Sequence, residues 1–319
     1  MRMSLVHNPQ SGRNHRDPLD PERLARDVPT LDLHLLGPDT DTAALACRLL
    51  DRHPDLLVVS GGDGTLQRLL TALLQAADGA PLPAVAILPR GTANMIAADL
   101  GLVRRPPRAT TVARLLRDLD EGRRATIMEE RAVVAIQTGD APPEAGFFFA
   151  TGAVCDAIDF WAERFQRRGL VGGVSQLLTF LALLAGIATK GPEAAGLRPF
   201  TGKLEIDGHP PLAGSFLFAF ATTLDRLLLG ATPFWNGDGA ALRVTAVERD
   251  APHLLAHAWR VVRGKMRKPP PRYHSFGAGR VRLRGAERFV VDGEFRVVAP
   301  GAEIVVAAGR RLRFVRFVD

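Results

Sequence analysis

The sequence is poor in cysteine and in lysine. Cys47 and Cys155 are too few among 319 residues for a disulfide framework or a four-thiolate metal site, and both read as small buried apolar residues. Only 4 of the 41 basic residues are lysines. So arginine-heavy a balance, beside abundant alanine and glycine, follows GC-rich coding as readily as selection for binding. The net charge of +7 therefore points only loosely to an anionic partner such as a nucleotide, a phospholipid surface or nucleic acid. There is no G-x-x-x-x-G-K-[ST] phosphate loop, no G-x-G-x-x-G fingerprint, no internal repeat and no low-complexity tail. No basic segment followed by a long apolar stretch precedes the first strand, so the chain reads as cytoplasmic. A charge-free run, Leu170–Thr189, has its strongest apolar block at Leu177–Ile187, about two-thirds of the ~17 residues a crossing helix needs, and reads as an amphipathic or buried helix. Arg164, Arg167 and Arg168 precede it. They suit either a surface on anionic lipid or a solvated arginine turn before a core helix.

What is present is the composition of a packed protein. Apolar residues make up 46% and charged residues 24% of the chain, and the length suits two domains. Ser4–His7, Leu31–Leu35, Leu56–Ser60 and Ala84–Leu88 are predicted strands, alternating with helices over Thr42–Leu50, Leu66–Ala76 and Ala93–Leu100. That alternation is the signature of a doubly wound parallel α/β sheet. From about Ile127 the pattern changes to short strands: Val133–Gln137, Phe147–Thr151, Lys203–Asp207, Phe216–Ala221, Leu242–Val247, Arg280–Leu283, Phe289–Val291 and Ile304–Ala307. They predict an antiparallel sandwich or barrel-like second domain. The boundary is expected in Asp118–Arg124, giving domains 1–122 and 123–319, with the last strand free to return to the first domain.

Three strand ends carry chemistry. Leu56–Ser60 runs into Gly61-Gly62-Asp63-Gly64-Thr65, where glycines let backbone N–H groups approach phosphate oxygens at a helix start. Asp63 is oddly placed for a pure anion cradle and argues for Mg²⁺ or for base chemistry; a capped Gly-Asp-Gly turn is the structural alternative. Ala84–Leu88 ends in Pro89-Arg90-Gly91-Thr92-Ala93-Asn94, and the first strand ends in Asn8-Pro9-Gln10-Ser11-Gly12. Three such ends in one domain point to a nucleotide site.

Asn8-Pro9-x-Ser11-Gly12, Gly61–Thr65, Pro89-x-Gly91-Thr92-Ala93-Asn94 and the late Asp292-Gly293-Glu294 resemble the ordered motif set of the diacylglycerol, sphingosine and ceramide kinases, above all the bacterial soluble lipid kinases. Gly-Gly-Asp-Gly-Thr is shared with NAD kinases; the first and last motifs pull toward lipid kinases. The resemblance implies a phosphofructokinase-like nucleotide-binding catalytic domain and a C-terminal β-sandwich for the lipid, with ATP in the cleft between them. It implies that Asn8, Ser11, Gly61, Gly62, Asp63, Gly64, Thr65, Gly91, Thr92 and Asn94 hold the nucleotide. The γ-phosphoryl group of ATP would pass, with Mg²⁺, to a primary hydroxyl of diacylglycerol or a related lipid. Glu294 is the expected proton acceptor and Asp63 the phosphate and metal organiser, although Asp63 resembles the base of the sphingosine kinase branch. By the same resemblance Asp238, with the carbonyls of Trp235 and Ala240, would hold a second, structural Mg²⁺; a metal-free Gly-Asp-Gly hairpin is the alternative.

The chain departs from the family at Met95, where Asp is usual, at Gln67-Arg68, usually Asn-Glu, and at Leu224–Gly230, where glycines are expected. A nucleotide-touching threonine has no unique match in Leu36–Thr40. His253 and His257 have zinc-like spacing but no third ligand, so an ordinary helix is predicted. The densest basic run, Arg260, Arg263, Lys265, Arg267, Lys268 and Arg272, reads as a membrane-facing loop or a solvated arginine face. The expected protein is a phosphotransferase at the inner face of the membrane, with a lipid substrate, an anionic membrane surface and no nucleic acid as partners, a homodimer being left open. A kinase of a soluble metabolite and an inactive nucleotide-binding membrane protein are the alternatives.

Overall fold

A run such as Leu56-Leu57-Val58-Val59 has no polar face, so a strand built from it must be covered on both sides. The computed structural model describes residues 1–102, 108–164, 196–236 and 239–318. Two compact units are present, one of Met1–Arg131 with Arg310–Asp319 and one of Ala132–Gly309.

The first unit runs β1 (Met3–His7), α1 (Gly12–Arg16), α2 (Pro21–Asp27), β2 (Leu31–Leu35), α3 (Thr42–Arg52), β3 (Leu56–Gly61), α4 (Asp63–Ala77), β4 (Ala84–Pro89), α5 (Met95–Asp99) and α6 (Ala109–Asp120). The strands are parallel in the order β2-β1-β3-β4. The end of the chain joins the far edge, where Phe314 lies parallel to Val85. Successive side chains point to opposite faces. Leu56 and Val58 therefore join Leu24 of α2 and Val112 and Leu116 of α6 in one apolar cluster. Leu57 and Val59 are buried on the other face, where α4 packs on β3 and α3 on α4. The strand order reverses between β1 and β3, and in open α/β sheets ligands bind outside the carboxyl ends of strands at such a point.

The second unit is rich in sheet. β5 (Thr126–Thr138) leads into β6 (Glu144–Gly146), β7 (Phe148–Gly152), α7 (Ala153–Arg164), β8 (Phe200–Ile206), β9 (Leu212–Thr222), β10 (Leu242–Glu248), α8 (Leu254–Val262), β11 (Tyr273–Ala278), β12 (Arg280–Arg284), β13 (Arg288–Val291), β14 (Glu294–Val297) and β15 (Glu303–Phe317). Its pairings are antiparallel. β9 is central: β10 lies along one edge, while β7 and β8 share the other, β8 on residues 212–216 and β7 on residues 218–222. Phe149, Leu204, Phe216, Val244, Val281, Phe289 and Ile304 meet in one core.

Every strand predicted from the sequence is found. β6, β11 and β14 are not among those predicted; β6 and β14 are too short to show a period. α1, α2, α6 and α7 are likewise unpredicted, and α6 continues through Asp120 into the polar stretch read as a boundary. Leu170–Thr189, Arg167 and Arg168 lie outside the described residues, and Arg164 ends α7. Among the described residues no helix is long and apolar enough to cross a membrane.

Phe289 is buried with its ring 5.3 Å from that of Phe149. Phe289→Ala should lower stability by about 3–5 kcal/mol, read as a fall in the urea midpoint at unchanged m-value.

Candidate functional site

β1, β3 and β4 end side by side, each in one of the glycine motifs. Gly62 occupies the N-cap of α4 in extended backbone, and Asp63, Gly64 and Thr65 form its first turn. The leading amides of a helix have no acceptor within it and, with the helix dipole, favour an anion. The turns close on one another backbone to backbone. A Cβ on Gly62 would lie 2.9 Å from Gly91 Cα, and one on Gly12 would lie 2.9 Å from Thr92 Oγ1. Glycine is required here by proximity between strand ends, a constraint additional to phosphate access. Main-chain bonds fix the same contact: Arg13 N–H donates to the Arg90 carbonyl (2.8 Å), Arg90 N–H to Gly61 (2.9 Å) and Asn8 N–H to Ser60 (3.0 Å).

The side chains complete the lock. Asn8 Nδ2 donates to Thr65 Oγ1 at 2.9 Å, tying the β1 exit to the first turn of α4. Ser11 Oγ donates to the Asn8 carbonyl at 3.1 Å. Asn94 adopts left-handed backbone, φ 50°, and its amide grips Gly91 twice, accepting from N–H at 2.8 Å and donating to the carbonyl at 2.9 Å. That is why α5 starts at Met95, two residues later than predicted. Asp63 reaches across to this helix: Oδ2 accepts from Met95 N–H at 2.9 Å and Oδ1 from Ile96 N–H at 3.2 Å. Burial raises its pKa, and the amide donors of residues 94–96 oppose that rise. Thr92 is half-buried against Gly12.

Beneath the turns lies a polar network the motifs do not announce. Asn14 is buried, and its Nδ2 donates to the carbonyls of Asn8 (2.6 Å) and Ser60 (3.1 Å) and to Ser11 Oγ (3.0 Å). Its Oδ1 accepts from Nε of Arg90, which is wholly buried. The Arg90 guanidinium also donates to the carbonyl of Asp17 and to its Oδ2, the latter at 3.1 Å. Asp17 Oδ2 accepts Ala109 N–H at 2.9 Å as well, and that bond, with Arg90, holds its pKa below the usual carboxylate range. Burial, then the Arg90 charge, pushes His7 down to about 4, so its imidazole is neutral beside Ser60 Oγ at 3.1 Å. The one available signal was an arginine set between Pro89 and Gly91.

In the second unit, Asp292 and Gly293 form a two-residue hairpin turn between β13 and β14, with φ of 48° and 96°. Both values are positive, as a type I′ turn requires. The structural alternative for this motif is thus realised, and more is built on it. The Asp292 carboxylate accepts from the N–H groups of Phe147 (3.0 Å) and Phe148 (2.9 Å). Glu294 is exposed and has no partner among the described residues. Asp238 lies outside the described residues. Trp235 N–H donates to Ser275 Oγ at 3.2 Å, and Ala240 lines a shallow cavity of about 750 Å³ with Asn236, Ser275 and Phe276. Among the described residues no cluster of His, Cys, Asp or Glu could hold a metal. His253 precedes α8 and His257 stacks edge-on against Tyr273 at 5.5 Å, so this pair belongs to packing. Thr40 Oγ1 accepts Gly37 N–H at 2.8 Å, closing a local turn.

In an open α/β unit, glycine turns that expose helix amides at a sheet switch point lie where ligands bind. Residues 2–123 match the sequence profile of the diacylglycerol kinase catalytic domain. The chain is 41% identical over 61 residues to "Probable lipid kinase YegS" of Escherichia fergusonii, covering 18% of this chain and 20% of that protein. It is 32% identical over 80 residues to "Probable lipid kinase YegS-like" of Stenotrophomonas maltophilia, covering 25% and 26%. The matched stretches thus span a fifth to a quarter of these curated relatives. A crystal structure of a diacylglycerol kinase from Bacillus anthracis aligns over 99% of this chain and 96% of its own with a TM-score of 0.57 at 16% identity. A second structure from that organism, aligned over 99% and 97%, gives 0.63 at 19%. These two share the fold. Together the findings show that residues 2–123 resemble the diacylglycerol kinase catalytic domain and that the chain shares the fold of these structures.

Gly91→Ala, which forces the strand ends apart, should cost about 1–3 kcal/mol and weaken nucleotide protection in a thermal-shift titration. His7 has a folded pKa below its unfolded value of 6.5, so the unfolded chain binds the extra proton. Stability should therefore fall as pH drops from about 6.5 toward 4, and His7→Gln should flatten that part of the urea-midpoint profile.

Proposed function

We propose that this chain is an ATP-dependent lipid kinase, transferring the γ-phosphoryl group to a primary hydroxyl of diacylglycerol or a related lipid. The observation that carries this reading is the coincidence of the family match over residues 2–123 with the glycine turns that close around the first amides of α4. In this reading the first unit is phosphofructokinase-like, and the second is a β-sandwich that takes the lipid.

The cradle suits a polyphosphate. It combines free helix amides with Gly61, Gly62, Gly64 and Gly91, which leave no side chain in the way, and with Thr65, Thr92, Asn8, Ser11 and Asn94 around them. Each Asp63 oxygen accepts a main-chain amide and keeps acceptor capacity, so the carboxylate fits a role in holding a hydrated Mg²⁺. When bound, that ion would neutralise phosphate charge. The second Mg²⁺ rests on Asp238, and no step is assigned to it. Glu294, exposed and unengaged, would take the hydroxyl proton as the lipid oxygen attacks phosphorus and the bond to the bridging oxygen of ADP breaks. Positioning and electrostatics supply most of the acceleration in such chemistry.

The test incubates the protein with γ-labelled ATP, Mg²⁺ and extracted lipids. Label should enter the organic phase with wild type and be lost with Asp63→Ala. Glu294→Gln should reduce turnover by about 10²–10⁴-fold while leaving nucleotide protection intact. Label confined to water-soluble product would indicate a metabolite kinase. Nucleotide binding with no transfer would indicate an inactive relative, and loss of turnover in Asp63→Asn but not Glu294→Gln would reverse the two roles.

A further inference from the structure

α8 is apolar on both faces. Val261 is buried with Met266 and Tyr273, and Leu254 packs on the same cluster. On the outer side Leu255 and Trp259, one helical turn apart, are 43% and 56% exposed. A helix on a globular surface normally turns charged and polar residues outward. The helix end is joined to the leucine-rich turn that replaces the expected glycines. Thr232 N–H donates to the Val262 carbonyl at 2.9 Å, and Gly264 lies against the carbonyls of Thr232 and Phe234, where no Cβ would fit. In that turn Leu228 and Leu229 are 38% and 61% exposed. Four of the ten exposed large apolar side chains among the described residues thus lie on α8 or on the turn tied to its end.

The charge beside them is one-sided. Residues 260–268 contain Arg260, Arg263, Lys265, Arg267 and Lys268 and no acidic residue. All five are exposed, and among the described residues none has a carboxylate partner. Arg272, just beyond, is paired with Asp250 at 3.4 Å and Glu248 at 3.9 Å. Arg263 stacks over the Trp259 ring at 4.6 Å, placing cation and indole at one level.

We infer that this surface docks the second unit on an anionic bilayer, with Leu228, Leu229, Leu255 and Trp259 entering the headgroup region and the five cations meeting lipid phosphates. Nucleic acid would satisfy the charges but leave four apolar side chains in water, whereas a bilayer takes both. Indole rings suit the membrane–water interface. The inference adds a membrane contact to the lipid-kinase reading and rests on separate observations, so it is tested without ATP or turnover.

Co-sedimentation with phosphatidylcholine vesicles containing phosphatidylglycerol should show binding that falls with salt. Pure phosphatidylcholine vesicles should bind far less. Arg267→Gln with Lys268→Gln should weaken partitioning about 30-fold, at ~1 kcal/mol per charge. Leu229→Glu and Trp259→Glu should each abolish it while leaving far-UV circular dichroism and nucleotide protection as in wild type. Wild-type sedimentation by all three variants would overturn the proposal. So would a change of oligomeric state in light scattering without loss of vesicle binding, which would make this face a contact between copies. Loss of phosphotransfer alone would bear on the kinase reading and not on docking.

Discussion

Arg90 carries a permanent charge into a place with no solvent access, and burying a guanidinium costs several kcal/mol unless acceptors are fixed around it. Those acceptors are Asn14 Oδ1 from α1 and the carbonyl and carboxylate of Asp17. Asp17 in turn holds the first amide of α6. One side chain on the β4 exit therefore ties the body and end of α1 to the start of α6. Asn14 spends its other hydrogen-bonding group on the β1 and β3 exits. The turns proposed to hold phosphate stand on this network. Their spacing follows from the demand that a buried cation keep its acceptors.

The acidic residues of the motifs divide along the same line. Asp63 and Asp292 each accept two main-chain amides, and each thereby fixes the start of a neighbouring element, α5 in one case and β7 in the other. Such donors favour the ionised carboxylate, opposing the burial that raises the pKa of Asp63. A carboxylate so engaged is well placed to organise its surroundings and poorly placed to swing toward a substrate. Glu294 has the opposite character, one residue past a tight turn and exposed. The contrast supports the proposed division of roles, with Asp63 as organiser of phosphate and metal and Glu294 as proton acceptor.

Legibility in the sequence followed the range of the interactions. Apolar runs such as Leu56–Val59 and the glycine turns after them depend on neighbours in the chain, so the parallel strands and three exits could be read directly. The start of α5 could not, because it depends on Asn94 adopting left-handed backbone to hold Gly91. Asn14 was invisible for the same reason: nothing near it in sequence shows that Ser60 and Arg90 will surround it. α1, of five residues, is too short for a helical period. Asp292-Gly293-Glu294 was legible as a turn, which the structure shows, and that turn places Glu294 at its edge.

Charge teaches the same distinction between sum and position. Much of the arginine in this chain is matched locally: Arg117 with Asp27, Arg131 with Asp99, Arg288 with Asp156 and Asp159, Arg296 with Glu144. Charges matched in this way, several with a buried acid, present little net field to a partner. The excess that gives +7 acts where acids are absent, and residues 260–268 supply five positive charges with none to offset them. That stretch also holds two of the four lysines, the residue this composition otherwise disfavours. Coding bias would explain arginine spread through the chain, but not cations set beside outward-facing leucine and tryptophan. The combination is what a surface needs when its partner is charged at the top and apolar underneath.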